Sequence, residues 1–350
     1  MRSFSWLLPM LVAACGITPH ADVQALVAAV SEAKLIAHVE ALCAIGPRPE
    51  YDRRATAATL DLLETELRSY GYEPRREPFD ALMQEWKEAT AEDGTRIRVL
   101  TARQGVKHHN LIAEKRGQGP QAATVCELGA HFDSVPYGPG ADDNGSGVAA
   151  VLEVARLCAT VPTDKTIRFV FYAMEEEGLV GSKAHVEELV RQERESEAAL
   201  VLDMVGFASS APDSQQSPVR IPLLAPVPYV GDFILDAGNF SSGWLGNLFE
   251  ACIDAYVPEL PYFSVNRLAG WFADSARSDH ASYWAAGIDA ILLSDTAEMR
   301  NPHYHQASDL PATLDAVFLR RNTQAVLATM LHWAGRVPGD VPFAARARDP

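Results

Sequence analysis

Between residues 123 and 293 the chain alternates short apolar runs with stretches of helical period, and this alternation decides what it can fold into. Residues 124–129, 167–173 (IRFVFYA), 199–202 and 290–293 are apolar along nearly their whole length. That is the pattern of strands covered on both faces. Between them lie residues 148–158, with Val148, Val151, Leu152 and Ala155 on one side of a helix, and a second helical stretch that begins near residue 184. Strands that alternate with helices build a largely parallel sheet with helices on both faces. The expected fold is therefore α/β, a three-layer α/β/α arrangement around a mostly parallel, mixed central sheet.

The flanks read differently. Residues 23–42 are Ala-rich and helical in period, and Leu60, Leu63, Leu67 and Tyr70 recur at three- and four-residue steps, an amphipathic helix that Gly71 would stop. From there to about Asn110, short strand signals mix with charged turns. Residues 209–278 are rich in Pro, Ser, Gly and aromatics, with a helix over residues 245–256; they read as a loop-rich cover over one end of the sheet. No repeat, low-complexity tract or linker divides the chain. The expected organisation is one domain over residues 22–337, including the N-terminal helical part, followed by a tail over residues 338–350.

The first residues look like an export signal. Arg2 precedes an apolar run over residues 4–14, broken by Ser5 and Pro9 and too short to span a bilayer. It ends in Val12-Ala13-Ala14-Cys15-Gly16, small residues before a cysteine, as in a bacterial lipobox. The expectation is a signal peptide over residues 1–14 and a lipidated Cys15, which places the protein in the cell envelope or periplasm. Secretion without a lipid, and a start that is never cleaved, stay open. Cys43, Cys126, Cys158 and Cys252 show no metal-binding spacing and read as buried thiols, with pairing left open. Acids outnumber bases 46 to 30, a net charge of −16. This argues against nucleic acid or an anionic membrane as the main partner, with membrane contact only through a Cys15 lipid, but not against metal cations.

Five groups of acids or histidines fall where predicted strands end: His131-Phe132-Asp133, Asp142-Asp143-Asn144-Gly145, Glu175-Glu176-Glu177, Asp203 and His303-Tyr304-His305. Ligands of open α/β sheets bind beyond the carboxyl ends of the strands. Each group alone is as well explained by a packed histidine or a solvated acidic turn. All five together point to one metal site, and solvated turns do not account for histidines at both ends. Imidazole and carboxylate suit Zn²⁺. Two such cations repel each other, so a shared carboxylate is useful, and together they can acidify a water, hold a carbonyl oxygen and bind a free amine. A carboxylate off the metal must then move the proton, and adjacent acids at a strand end point in different directions, as that division requires. Gly145-Ser146-Gly147 is not a phosphate loop, and Ser182 lacks the setting of a hydrolase nucleophile.

The stretches GAHFDSVPYGPGADDNGSGVAAVLEVAR, FVFYAMEEEGLVGS, LVLDM, SDHASYWAAG and NPHYHQASD, in that order, resemble the co-catalytic zinc aminopeptidases of the bacterial leucyl aminopeptidase and aminopeptidase Y type. A weaker likeness runs upstream through IGPRPEYDRRATAATLDLLETELRSYGYEPRREPF and HHNLIAEKRG, so the resemblance covers about residues 44–333. It implies a zinc-exopeptidase architecture, two Zn²⁺ per chain and peptide substrates with a free N-terminus. It further implies that His131 binds one zinc, that Glu176 and Asp203 each bind one of the two, that Asp143 bridges them, that His305 completes the second and that Glu175 is the general base. Asp133 would orient His131 by accepting its other N–H, and Asp279 would lend similar support. Asp142 would be a turn or helix-start residue, His280 a packing residue and Glu177 solvated. His303 competes with His305, whose place after the Pro fits the family, and Tyr304 matches an oxyanion-stabilising Tyr of some members. Phe263, Trp271 and Phe272 are candidates for side-chain selection. Readings kept beside this one are a single-zinc glutaminyl cyclase or a dipeptidase or carboxypeptidase of the same fold, and an inactive binding protein.

Overall fold

The computed structural model describes residues 16–90, 96–192, 196–217 and 228–336. The export signal, Cys15 and the tail at 338–350 lie outside the described residues. Helices α1 (Ala21–Ala28) and α2 (Glu32–Cys43) divide the expected N-terminal helical stretch, because Ser31 caps α2 and its backbone N–H donates to the Glu153 carboxylate at 2.9 Å. Helix α3 (Arg53–Ser69) is capped by Asp52, which accepts from the N–H groups of Arg54 and Ala55, and it stops at Gly71, where φ is +94°.

Strands β1 (Arg75–Thr90) and β2 (Arg96–Lys115) follow as one long antiparallel ribbon rather than short strands and turns. The period was hidden because β1 pairs with β2 over nearly its whole length while β2 reaches β4 only at Leu111–Lys115, and a ribbon that pairs mostly with itself does not carry the unbroken apolar run of a central parallel strand. Then come β3 (Val125–His131), α4 (Gly147–Cys158), β4 (Thr166–Tyr172), α5 (Val180–Arg191) and β5 (Ser196–Leu202). These match the predicted alternation within a few residues. The segment expected to be a loop-rich cover also contributes to the sheet through β6 (Ile234–Gly238) and β7 (Tyr262–Ser264), with α6 (Gly243–Tyr256) between them. Helix α7 (His280–Ala285), β8 (Asp289–Ser294) and α8 (Ala316–Trp333) complete the fold.

The strands form one mixed sheet in the order β1-β2-β4-β3-β5-β8-β6-β7. Its centre, β4-β3-β5-β8, is parallel, and both flanks include antiparallel pairs. Residues alternate across the sheet. Cys126, Leu128 and Ala130 of β3 and Ile167, Phe169 and Phe171 of β4 join α1 to α4, α6 and α8 in the larger core. Val170, Tyr172, Ala199 and Val201 turn the other way and meet α5 and α7. Three layers result, and each fully buried Leu or Phe in them contributes about 1.5–3 kcal/mol relative to exposure. Because the four central strands are parallel, they end at one edge of the sheet, and the chain leaves that edge at His131, Tyr172, Leu202 and Ser294.

Candidate active site

The side chains singled out in the sequence gather at that edge. His131 is the last residue of β3 and is 1% exposed. Its Nε2 lies 3.3 Å from Oδ1 of Asp143 and 3.5 Å from Oδ1 of Asp203, and its Nδ1 lies 3.6 Å from Oδ1 of Asp133. The other oxygen of Asp143 lies 3.2 Å from Nε2 of His305, which is 3.0 Å from Oε2 of Glu176. Two sets of ligand atoms therefore converge: His131, Glu175 and Asp203 form one, Asp143, Glu176 and His305 the other, each within 4.8 Å of one another. Asp143 touches both sets, one oxygen to each histidine.

The residues fit a pair of cations. Nε2 of His131 and Oε1 of Glu176 are buried with no hydrogen-bond partner, which is costly unless a ligand takes them up, while Nδ1 of His131 faces Asp133 without a hydrogen bond. The donors are imidazole and carboxylate, the set that suits zinc. Without a metal, the histidines take up the charge themselves. Burial opposes a proton on His131, but Glu175 and the carboxylates of Asp133, Asp143 and Asp203 outweigh it and hold the imidazole well above its usual pKa. Burial likewise works against His305, and Asp143 and Glu176 push it to about 10. Burial, with Asp203, Asp279 and Asp133 adding to it against His131, lifts Glu175 well above the ordinary carboxylate range.

Backbone donors and buried polar groups fix these ligands. Asp133 accepts from the N–H of Glu175 at 3.1 Å and of Glu176 at 3.2 Å, so one carboxylate on the β3 exit sets the turn after β4. It stands beside Nδ1 of His131, as an orienting acceptor would. Asn144 ties the Asp143 loop to the end of β5, donating to the Leu202 carbonyl and accepting from the Met204 N–H. Asp142 lies in the irregular helical turn Ala141–Ser146 that runs into α4. It is fully buried and accepts from the Gly206 N–H at 2.9 Å and from Asn301 at 2.7 Å, which links the loops after β5 and β8.

Two residues of this framework had no assigned role in the sequence. Asp309 is 2% exposed and accepts from the N–H groups of both Asp142 and Asp143, at 2.9 and 3.1 Å. Arg48 is 1% exposed and donates to the carbonyls of Phe132, Pro139 and Gly140 across the loop, and of Gly46 and Leu42 on its own side. Each lies inside a stretch that resembles the family, Asp309 four residues after His305, but neither has a spacing or partner visible along the chain.

The other candidates sort by contact. His303 turns away to Ser308, 2.9 Å from its Nδ1, and is in neither ligand set. Tyr304 stacks on the His305 ring at 3.8 Å, and its hydroxyl accepts from Arg277 at 3.3 Å. Asp279 is fully buried with neither oxygen bonded, while His280 bonds the Ser275 carbonyl and packs edge-on against Trp284. Glu177 is exposed. Phe263 packs against Phe233, whereas Trp271 and Phe272 are 80% and 41% exposed and have no described contact with the ligand sets. Cys43, Cys126 and Cys158 are free thiols, and Cys252 is buried.

Residues 110–330 match the sequence model of peptidase family M28, a stretch that holds every convergent ligand. The chain belongs to peptidase family M28. It is 33% identical over 236 residues to "Uncharacterized protein YfbL" of Escherichia coli, a match that covers 63% of this chain and 69% of that one. It is 31% identical over 259 residues to "Probable lipoprotein aminopeptidase LpqL" of Mycobacterium tuberculosis, over 66% of this chain and 47% of that one. The chain spans between 28% and 49% of the length of the curated aminopeptidases it matches. In fold it is similar to BSAP, a zinc aminopeptidase from Bacillus subtilis, with a TM-score of 0.68 over 87% of this chain and 95% of that one at 19% identity.

Proposed function

We propose that this M28 peptidase is an exported aminopeptidase that works with two zinc ions per chain. One observation carries the reading: the two oxygens of Asp143 face separate histidines, each backed by its own carboxylate. In this reading His131 and Asp203 would hold one ion, Glu176 and His305 the other, and Asp143 would bridge them. Zinc bound there would supply Lewis acidity to the substrate carbonyl and lower the pKa of the attacking water.

The chain's own residues do the rest. Glu175 stands among the potential ligand atoms of the first set, but in this reading it would stay off the metals, take the proton of the attacking water and return it to the departing amine. In the metal-free chain its buried, acid-crowded setting raises its proton affinity. Asp133 keeps Glu175 and Glu176 in place through their N–H groups and orients His131. The free α-amine of the substrate would sit near the second zinc, a place that a blocked end could not take.

Glu175→Gln tests this assignment. The substitution should lower kcat on a Leu-initiated peptide by about 10²- to 10⁴-fold and leave zinc content at two per chain. Full activity in the variant would remove Glu175 from the proton path. Blocked peptides cleaved as fast as free ones, or one zinc with no amino-acid release, would overturn the aminopeptidase reading. Export rests on the signal-like N-terminus and on the likeness to a protein named as a lipoprotein aminopeptidase.

A further inference from the structure

The ribbon of β1 and β2 is joined to the sheet only at its root. β2 pairs with β4 from Leu111↔Phe171 to Lys115↔Ile167, antiparallel, and β4 runs toward the ligand-bearing edge. Residues of β2 before Leu111 therefore rise past the end of β4 on the side of the candidate site. They pair with β1 back to Arg96↔Thr90, roughly 40 Å of ribbon at the usual rise per residue. The root is firmly held: Asn110 accepts from the Ala173 N–H at 3.0 Å, two residues before Glu175, and donates to the Gly181 carbonyl at 2.9 Å. Higher up the ribbon, the register shifts between Ala81↔Val106 and Met83↔Arg103, so one residue of β1 faces two of β2. Such a bulge bends and twists a ribbon.

β4 ends at Tyr172, but the edge of β2 that it occupies does not. Among the described residues no strand pairs with that edge above Leu111. Among the described residues its backbone donors and acceptors have no strand partner there, and the row starts at Asn110, which bonds Ala173 two residues before the candidate base. We infer that this edge receives the body of the substrate, an extended peptide added as a strand where β4 leaves off. The direction agrees. A peptide whose N-terminus sits at the metals leaves the site in the direction of β4, which is antiparallel to β2. Main-chain pairing of this kind reads no side chains, so it favours long, extended peptides over dipeptides whatever their sequence. The inference rests on the aminopeptidase reading and adds the substrate class to it.

The test uses the zinc-loaded full chain and Leu-initiated peptides of two, four and eight residues. The expected result is a kcat/KM at least tenfold higher for the octapeptide than for the dipeptide. Methylating alternate backbone nitrogens of the octapeptide beyond its second residue should give two unequal series. One should lose about 2- to 10-fold per methyl, the range of a net hydrogen bond, and the other should lose little. A second chain has residues 82–105 replaced by Asn-Gly, a two-residue turn between the directly paired Ala81 and Val106. It keeps Val106 to Asn110 of the edge, so it should keep dipeptide hydrolysis and the gain from peptide residues that pair there, and lose the gain from residues beyond them. If that variant fails to fold, the methylation series decides on the unaltered protein.

A dipeptide cleaved well with no gain in length, or equal methylation series, overturns the inference and leaves the aminopeptidase reading intact. So does a wild-type dimer that the shortened variant turns into a monomer with length preference unchanged, because the ribbon would then join two copies. If no peptide with a free N-terminus is hydrolysed, both readings fall.

Discussion

Replacing Asp309 by Ala separates the framework around Asp143 from Asp143 itself. The carboxylate bonds the N–H groups of Asp142 and Asp143 at 2.9 and 3.1 Å, and the three residues are at most 5% exposed. The substitution removes both acceptors and leaves two buried donors unmet. An orphaned buried donor costs about 1–3 kcal/mol, so the pair gives about 2–6 kcal/mol. Water entering the space of the lost carboxylate would repay part, which sets the expectation at about 2–4 kcal/mol. Asp309→Asn keeps one acceptor oxygen and should lose about half as much. Urea unfolding of the metal-free chain reads the stability term. Zinc competition with a chelator reads the second consequence, because a displaced Asp143 loop should weaken metal binding by about 10- to 100-fold, as for other groups that orient ligands. If Asp309→Ala unfolds within about 0.5 kcal/mol of the parent chain, below the cost of one orphaned donor, and binds zinc equally well, something else holds the loop and the reasoning fails.

The choice between the two histidines of the last motif is tested by zinc analysis: His305→Ala should lose one equivalent of metal, and His303→Ala should keep both. Stability should depend on pH through a buried network under the other face of the sheet, where Glu127 meets Arg168, His185 and Tyr283. Burial opposes the charge of His185, but Glu127 and Glu77 raise it from 6.5 to about 9, so its contribution is complete below pH 6.5 and disappears as pH rises through 9. Burial opposes the charge of Glu127 as well, yet His185 and Arg168 lower it from 4.5 to about 2, so its contribution is complete above pH 4.5 and disappears as pH falls through 2. Urea unfolding should therefore show a plateau from pH 4.5 to 6.5 and a decline toward pH 9 that His185→Gln flattens; an unchanged slope in that variant would contradict the assignment. Labelled palmitate should enter the full chain and not Cys15→Ala, and equal labelling would remove the lipid from Cys15.

What could be read along the chain was whatever leaves a local pattern. Ile167 to Tyr172 is buried on both faces and shows it as an unbroken apolar run. His131, Asp143, Glu175, Glu176, Asp203 and His305 stood out because ionisable residues repeatedly followed such runs. The β1–β2 ribbon did not stand out, since Trp86 lies among Gln84, Glu85, Lys87 and Glu88 and nothing in that mixture marks a strand. β6 and β7 were missed for a related reason: they are short and belong to the sheet only through partners distant in sequence, Ile234 beside Tyr262 and Leu235 beside Ser294. Asp309 and Arg48 act on backbone atoms of other segments. Any acid or base could be drawn at those positions, and only folding shows which amides and carbonyls they meet.

Arg48 sets a boundary that sequence matching does not. The family stretch begins at residue 110 and contains every ligand, yet the guanidinium that gathers the carbonyls of Phe132, Pro139 and Gly140 enters 62 residues earlier. A protein trimmed to the matched limits would carry a full set of metal-binding groups on a loop whose carbonyls had lost their common donor. Its inactivity would say nothing about those groups. A piece that keeps this shared donor starts no later than the turn after α2.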